Sequence, residues 1–283
     1  MDIGIGLPNP VPGTPGETLV EWARKAEAAG FSSLATIDRI AYPSYESLIT
    51  LAAAAAVTAR IGLVTNILLG PTRNPVLLAK EAAGVDLLSG GRLTLGLGVG
   101  ARKDDFEITG QRFEDRGNRF DQALELMHRV WKGEKVNGAQ NPIGPAPVRA
   151  IVPILIGGRG DAALRRVVQW GIGYTVGGAG PDQVAPFLER VRKAWAEAGR
   201  EGKPRMVGLA YFGLAPYATQ RATEYLGDYY GDMGKQIAQS IPKTPEALRD
   251  TVKKFEDHGF DELFLDPTSA DLAEIDRAAA TVL

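Results

Sequence analysis

The sequence has no cysteine and only two histidines, His128 and His258, among its 283 residues. The absence of cysteine excludes disulfide bonds, thiolate metal sites and a cysteine nucleophile, and it is compatible with a reducing cytoplasm. Both histidines fall in predicted helices, so we interpret them as packing or surface residues and do not expect histidine catalysis. No group of side chains has the spacing of a metal-ligand set.

Long apolar runs and blocks of like charge are also absent. The longest run of small apolar residues, from Leu51 to Val57, is too short to span a bilayer. The 32 lysines and arginines and the 34 aspartates and glutamates are spread along the chain, so neither nucleic acid nor a membrane is expected as a partner. The first residues, MDIGIGLPNP, lack the charged start and long apolar run of a signal peptide. We therefore expect a cytoplasmic protein.

Patterns typical of strands and helices alternate along the whole chain. One clear unit has a strand from Ile61 to Ile67, a helix that begins at Asn74-Pro75, and a stop at Ser89-Gly90-Gly91. The next strand, Arg92 to Gly98, is apolar on both faces, as a buried parallel strand is. We count eight such strands, which favours a (β/α)₈ TIM barrel forming a single domain over residues 1–283, rather than an open doubly wound sheet.

Two segments depart from the alternation. Residues 133–152 are rich in glycine, proline and asparagine, and they predict a rim loop or small hairpin inserted between strands four and five. Between strands seven and eight, helical patterns over residues 218–239 and 244–258 predict one extra helix. The alternation resumes after both segments, so neither marks a domain boundary.

Glycine-rich turns follow strands five and six. The active site of a TIM barrel lies at the C-terminal ends of its strands, where these turns fall. Gly157-Gly158-Arg159 and Gly177-Gly178 each precede a helix, so their amides can converge on an anion while Arg159 or Arg165 adds positive charge. One such turn alone is more often only a tight connection. Two adjacent turns favour a phosphate site.

The order of motifs resembles the bacterial luciferase-like superfamily of flavin- and deazaflavin-dependent oxidoreductases. The matching segments are IGIGLP, AEAAGFSSLATID, VTNILLGPTRNPVLLAKEAAGVDLLSGGRLTLGLGVG, VPILIGG and TPEALRDTVKKFEDHGFDELFLDP. The resemblance implies FMN or the deazaflavin F420 across the barrel mouth, its phosphate near the glycines after strands five and six, and a small organic substrate. It further implies a homodimer formed through the small-residue faces of helices two and three and, for an FMN enzyme, a separate flavin reductase as partner. Tight packing of these faces against the barrel's own strands is the alternative.

The resemblance also assigns a role to the ends of strands three and four. It implies a non-prolyl cis peptide bond at Asn66-Ile67 that backs the cofactor ring. Gly98, Val99 and Gly100 then form the adjacent wall of the cofactor site. An ordinary trans strand end, with Asn66 turning the chain, is the alternative.

The end of strand two departs from the pattern of the superfamily. Many members carry Asp-His there, whereas this chain has Asp38-Arg39. An arginine does not exchange a proton near neutral pH, because its pKa lies above about 12. It can still bind a carboxylate, a phosphate or a developing negative charge, so Asp38 and Arg39 are the candidate catalytic residues.

Other charged and aromatic residues near strand ends have two interpretations. Arg73, Arg102 and Asp105 are either contacts to a ligand or members of surface ion pairs. The aromatic residues either form a wall over a ring or pack within the barrel. They are Tyr42, Tyr45, Tyr211, Phe212 and Tyr217.

Three functions stay open at the level of sequence. The first is an oxidoreductase that uses reduced FMN with O₂, or a deazaflavin without it. The second is a flavin-binding protein without catalysis. Two departures from the superfamily permit this function, namely Arg39 in place of histidine and Ala101 where some deazaflavin dehydrogenases carry glutamate. The third is a TIM-barrel isomerase or lyase that acts on a phosphorylated substrate and needs no ring cofactor.

Overall fold

Eight parallel strands close into one barrel in chain order in the computed structural model, which describes all 283 residues. Each strand pairs with its neighbours along the chain, and the last strand pairs with the first. The strands are β1 (Asp2–Gly6), β2 (Ser33–Thr36), β3 (Gly62–Leu69), β4 (Leu93–Gly98), β5 (Ile154–Gly157), β6 (Gly173–Thr175), β7 (Arg205–Phe212) and β8 (Glu262–Pro267). The predicted (β/α)₈ TIM barrel is confirmed.

Helices connect the strands and form the outer layer. They are α1 (Gly16–Ala29), α2 (Ser47–Val57), α3 (Pro75–Leu88), α4 (Lys103–Glu107), α5 (Arg116–Trp131), α6 (Asp161–Trp170), α7 (Pro181–Glu197), α8 (Ala218–Tyr230), α9 (Asp232–Ser240), α10 (Pro245–Asp257) and α11 (Ala273–Val282). None of them is both long and apolar enough to cross a membrane.

Helix α3 shows how local sequence sets the boundaries of an element. The Asn74 side chain accepts hydrogen bonds from the amides of Val76 and Leu77, and Pro75 occupies the first helical position. Both choices favour a helix start, because the first amides of a helix have no partner within it. The helix ends before Gly90 and Gly91, whose positive φ angles of 67° and 87° reverse the chain into β4.

Apolar side chains fill the barrel interior below the mouth, and a cavity is open at the mouth. Side chains from β2, β3, β5, β7 and β8 form a closed apolar layer, namely Ala35, Val64, Leu155, Val207 and Phe264. The Phe264 ring lies over β1, where a Cβ at Gly4 would approach it to 2.4 Å. This layer is a floor, and the space for a ligand lies above it at the C-terminal ends of the strands.

The inserted segment lies at the end of the barrel opposite the mouth. Residues 133–153 connect the end of α5 to the start of β5, and both of these points lie at that end. Lys80 of α3 donates to the Gly144 carbonyl oxygen (2.7 Å), and the Val148 amide donates to Asp86 of the same helix (2.8 Å). No residue of the insertion lines the cavity at the barrel mouth. The prediction of an insertion between strands four and five is thus right, and the rim at which it lies is the one opposite the mouth.

The extra helical segment between β7 and β8 consists of two helices. The predicted helix over residues 218–239 is broken at Gly231, whose φ of 65° and ψ of −140° are incompatible with a continuous helix. Helices α8 and α9 therefore pack against each other as a hairpin. The C-terminal residues of α8, Tyr229 and Tyr230, reach the barrel mouth.

Candidate functional site

A cavity of about 500 Å³ occupies the barrel mouth. It is lined by all ten residues that the sequence predicts to bind a cofactor, contributed by β3, β4, β5, β6 and the turns that follow them. These residues are Asn66, Ile67, Gly98, Val99, Gly100, Gly157, Gly158, Arg159, Gly177 and Gly178. Closure of the barrel thus brings together positions that are more than a hundred residues apart in the chain.

The end of β3 forms one wall of the cavity through an irregular backbone. The Asn66-Ile67 peptide bond is cis, as the resemblance implies. The pairing of β3 with β4 shifts register between Thr65 and Leu68, so the two intervening residues form a bulge. This bulge directs Asn66 and Ile67 to the cavity.

Glycines on the neighbouring strands make room for Ile67. A Cβ atom at Gly98 would lie 2.0 Å from Ile67 Cδ1, and one at Gly157 would lie 3.2 Å from Ile67 Cγ2. Real carbon atoms do not approach so closely, so the position of the Ile67 side chain depends on glycine at Gly98. The result is an apolar surface that faces the cavity.

The Asn66 side chain presents an unused hydrogen-bond donor. Thr175 Oγ1 donates to Asn66 Oδ1 (2.5 Å), which fixes the orientation of the amide. Asn66 Nδ2 is buried and has no partner. A buried donor without an acceptor costs about 1–3 kcal/mol, so this group is suited to an acceptor atom on a bound ligand.

Two glycine-rich turns face the cavity and precede helices α6 and α7. Gly158 and Gly178 have φ angles of 115° and 69°, a region that favours glycine. A Cβ atom at Gly177 or Gly178 would meet no atom within 4 Å, so open space lies over these amides. The N-termini of two helices and the unpaired guanidinium of Arg159 thus create a positive end of the cavity.

Asp38 lies in the cavity wall, but its carboxylate is bound by other groups. Both of its oxygens accept hydrogen bonds from Arg73 (2.7 and 3.0 Å), and Oδ2 also accepts from the Leu69 amide (2.8 Å). Burial lowers the pKa of Arg73, but the carboxylates of Asp38 and Glu46 outweigh it and raise this pKa. Asp38 is therefore placed to fix the ends of β2 and β3, while its proposed catalytic role stays a prediction.

Arg39 does not line the cavity. Its guanidinium donates to Asp104 (2.9 Å) and to the Tyr229 carbonyl oxygen (3.1 Å), and it lies 5.1 Å from the centre of the Tyr42 ring. Arg39 thus contacts Tyr229, which lines the cavity, and its catalytic role stays a prediction. The arginine that reaches the cavity near this point is Arg102, which follows β4.

Several lining residues were predicted only as alternatives or not at all. Of the predicted aromatic residues, only Tyr211 lines the cavity, whereas Tyr174, Tyr229 and Tyr230 line it unpredicted. Tyr174 lies in β6. Tyr229 and Tyr230 lie at the end of α8, and no local pattern indicates that this helix folds back over the mouth. Asp105 has a structural role, because its buried carboxylate accepts hydrogen bonds from the amides of Ile40 and Ala41 (2.8 and 2.7 Å).

Asp266 at the end of β8 is a buried carboxyl next to the site. It pairs in register with Tyr211, and its Oδ2 atom has no hydrogen-bond partner. Gly6 on the other neighbouring strand makes room for it, because a Cβ there would lie 1.9 Å from Asp266 Oδ1. Burial raises the pKa of Asp266 well above its ordinary value.

Comparison with known proteins gives matches over most of the chain. The model of the luciferase-like monooxygenase family matches residues 1–265. An uncharacterized protein of Mycobacterium tuberculosis is 34% identical over 207 residues, which cover 63% of this chain and 71% of that protein.

Two solved structures share the whole fold. An F420-dependent secondary alcohol dehydrogenase, solved with an F420–acetone adduct, has a TM-score of 0.79 at 18% identity and covers 99% of this chain and 98% of its own. The oxygenating constituent of 3,6-diketocamphane monooxygenase from Pseudomonas putida, solved with FMN, has a TM-score of 0.76 at 17% identity. The match covers 100% of this chain and 99% of that protein's chain. Such low identities show likeness of fold alone.

The family match runs from the first residue into β8, so it includes every strand that contributes to the cavity. It agrees with the resemblance drawn from the sequence motifs. The chain belongs to the luciferase-like monooxygenase family.

Proposed function

We propose that this protein is an oxidoreductase that binds FMN or F420 in the cavity at the barrel mouth and acts on a small organic substrate. The observation that carries the proposal is the arrangement of one continuous cavity, with the Asn66-Ile67 bulge in its wall and two glycine-rich helix N-termini opening into it. A planar ring with a phosphate-bearing side chain matches both features.

The residues present fit such a cofactor. Ile67 and Gly98 offer a flat apolar contact for the ring, and the free Nδ2 of Asn66 offers a donor to a ring oxygen or nitrogen. The amides after β5 and β6, with Arg159, offer positive potential to a phosphate. When bound, either cofactor would supply the redox chemistry, by hydride transfer or by reaction with O₂, while the protein orients the substrate and excludes water.

Titration of the purified protein with FMN, reduced FMN and F420 tests the proposal, with ring absorbance or fluorescence as the readout. We expect saturable binding of FMN or F420 at micromolar concentration, and the preferred cofactor then indicates the class of reaction. Binding of none of them would contradict the proposal and favour the isomerase or lyase interpretation. Turnover assays with the bound cofactor then distinguish an enzyme from a flavin-binding protein without catalysis.

We also propose a homodimer formed through α2 and α3. Apolar side chains of these helices border a surface groove of about 490 Å³ and remain exposed in the single chain, with Ile49 71%, Leu77 53% and Leu88 69% accessible. Exposed aliphatic residues grouped in this way are typical of protein–protein interfaces. A second copy of the chain would cover them. The cytoplasmic location and a separate flavin reductase stay predictions.

A further inference from the structure

The cavity has an excess of positive charge. Four charged residues line it, and the only acidic one, Asp38, is already paired with Arg73 outside the lining. The other three are Arg102, Arg116 and Arg159, and none of them has a carboxylate within ion-pair distance. Unpaired arginines around a partly closed cavity favour an anionic ligand, because the low dielectric of the surroundings strengthens the attraction.

These three arginines differ in how many hydrogen bonds their guanidinium groups donate to other residues of the protein. Arg159 stands beside the glycine turns and belongs to the proposed phosphate end. Arg116 donates to the carbonyl oxygens of Gly100 and Phe113, and its guanidinium lies 3.7 Å from the centre of the Phe113 ring. Arg102 makes a single hydrogen bond, to the Tyr229 carbonyl oxygen (2.9 Å). No carboxylate and no other carbonyl oxygen of the protein accepts from its guanidinium, so Arg102 uses fewer of its five N–H groups within the protein than Arg116 does.

The surroundings of Arg102 hold its guanidinium in place and leave its charge unpaired. It lies 4.7 Å from the centre of the Tyr229 ring and 5.0 Å from that of Tyr230. Asp104, the nearby carboxylate, is bound by Arg39 instead.

A pair of tyrosine hydroxyls stands next to this arginine. Tyr211 and Tyr230 both line the cavity, and their hydroxyl oxygens are 2.8 Å apart. Burial raises the pKa of both, so both hydroxyls keep their protons near neutral pH. One proton is used within the pair, and the other is available to an acceptor on a ligand.

We propose that Arg102 and the Tyr211–Tyr230 hydroxyl pair bind a carboxylate of the substrate, so that the enzyme acts on small organic acids with an apolar body. Leu69, Val99 and Leu209 line the same cavity and offer contact to that body. The guanidinium supplies two parallel donors, which match the two oxygens of a carboxylate. That the bound acid is oxidised or reduced rests on the proposed function. Binding of the acid itself does not depend on it.

Binding of benzoate and of benzamide tests the inference, because the two molecules have nearly the same shape and differ in charge. Calorimetric titration is carried out on the protein loaded with whichever cofactor it binds, and also on the unloaded protein. We expect benzoate to bind at least about tenfold more tightly than benzamide, as charge-assisted hydrogen bonds to a guanidinium imply. Arg102→Gln should remove this preference, while Arg102→Lys, which keeps the charge, should retain part of it.

Lys103→Gln is the matched control, because it removes a positive charge from the neighbouring position, where the side chain is exposed and paired with Glu107. It should keep the full preference for benzoate. Arg102→Gln should also leave the cofactor dissociation constant within about twofold of that of the unaltered protein, since neither the proposed ring contact nor the proposed phosphate contact uses Arg102.

Three results would overturn the inference. They are absence of saturable benzoate binding, equal affinity for the two probes, and a loss of cofactor affinity in Arg102→Gln as large as the loss of benzoate affinity. The last result would assign Arg102 to the cofactor site. A protein that binds neither cofactor but binds benzoate through Arg102 would contradict the proposed function alone.

Discussion

The ion pair between Asp38 and Arg73 fastens two strand ends at the barrel mouth. The Asp38 side chain is 2% accessible and that of Arg73 is 13%, so water screens the pair poorly. Asp38 also accepts a hydrogen bond from the amide of Leu69, which follows the Asn66-Ile67 bulge along β3. The geometry of the cavity wall at the end of β3 therefore depends on the Asp38 carboxylate and its ion pair with Arg73.

Removal of this carboxylate should destabilise the protein. Asp38→Ala leaves the Arg73 guanidinium with Glu46 as its only carboxylate partner, beside long hydrogen bonds to the Leu69 carbonyl oxygen and the Thr72 hydroxyl (both 3.3 Å). Loss of one member of a buried pair costs about 3–5 kcal/mol. Chemical denaturation measures the change in the free energy of unfolding. Glu107→Ala, which breaks an exposed ion pair on α4, is the control and should leave the unfolding midpoint unchanged. An equally small effect of Asp38→Ala would show that the pair is not structural.

Arg159 should contribute to cofactor affinity through its charge. Arg159→Ala removes the guanidinium beside the glycine turns and should weaken binding of FMN or F420 at least about tenfold, the effect of losing one charge-assisted hydrogen bond. Fluorescence titration gives the dissociation constants. Arg165→Ala, on the exposed side of α6, removes the same charge outside the cavity and should have no effect. Equal effects of both substitutions would indicate a merely long-range contribution of charge.

The buried carboxyl of Asp266 should make stability depend on pH. Its folded-state pKa is raised, so the folded protein holds a proton that the unfolded chain releases above about pH 4. Stability is therefore lost as pH rises from that value towards the raised pKa. The side chain introduced by Asp266→Asn does not titrate, so the variant lacks this dependence. The melting temperature of the variant minus that of the unaltered protein should therefore be larger at pH 7 than at pH 5. A difference that does not change with pH would contradict the assignment.

At the scale of elements, the glycines of the strands shape the site as much as its polar residues do. Gly98→Ala places a methyl group where Ile67 Cδ1 now lies, so the Ile67 side chain must move within the cavity wall. We expect a loss of cofactor affinity and a destabilisation of about 1–3 kcal/mol. Gly84→Ala in α3, outside the set of cavity-lining residues, meets no atom within 4 Å in the single chain and should leave cofactor affinity unchanged. Unchanged binding in Gly98→Ala would contradict the role of Ile67.

The period of apolar residues and the turn motifs were sufficient to predict the elements that carry the cofactor site. The strand ends and the glycine turns were found because a TIM barrel places all strand ends on one face. The end of α8 was not predicted, because its position over the mouth depends on the hairpin with α9 and on the break at Gly231. The partners of Asp38 and Arg39 were missed for a related reason, since adjacent residues of a strand end point in different directions. Sequence pattern thus predicts positions along the chain, but it does not predict which long side chains meet across the barrel.

At the scale of the whole molecule, the proposed homodimer through α2 and α3 should dissociate when a charge is placed in its interface. Leu88→Glu places a charge in the apolar groove and should convert a dimer into a monomer while the melting temperature of the barrel changes little. Ile108→Glu is the control, because Ile108 is 68% accessible but lies outside the groove. Sedimentation velocity gives the mass of each variant. A monomeric unaltered protein, or dimers of both variants, would contradict this interface.

The whole barrel brings the Asn66-Ile67 bulge, the glycine-rich turns before α6 and α7, and Arg102 into one cavity. We propose that they bind the cofactor ring, its phosphate and the substrate, respectively. The most direct test of this account is a crystal structure of the protein with FMN or F420, whichever the titration shows to bind. The account predicts the ring against Asn66-Ile67 and Gly98, with the phosphate at the turns that precede α6 and α7. A cofactor bound outside the barrel mouth, or with its phosphate away from these turns, would contradict it.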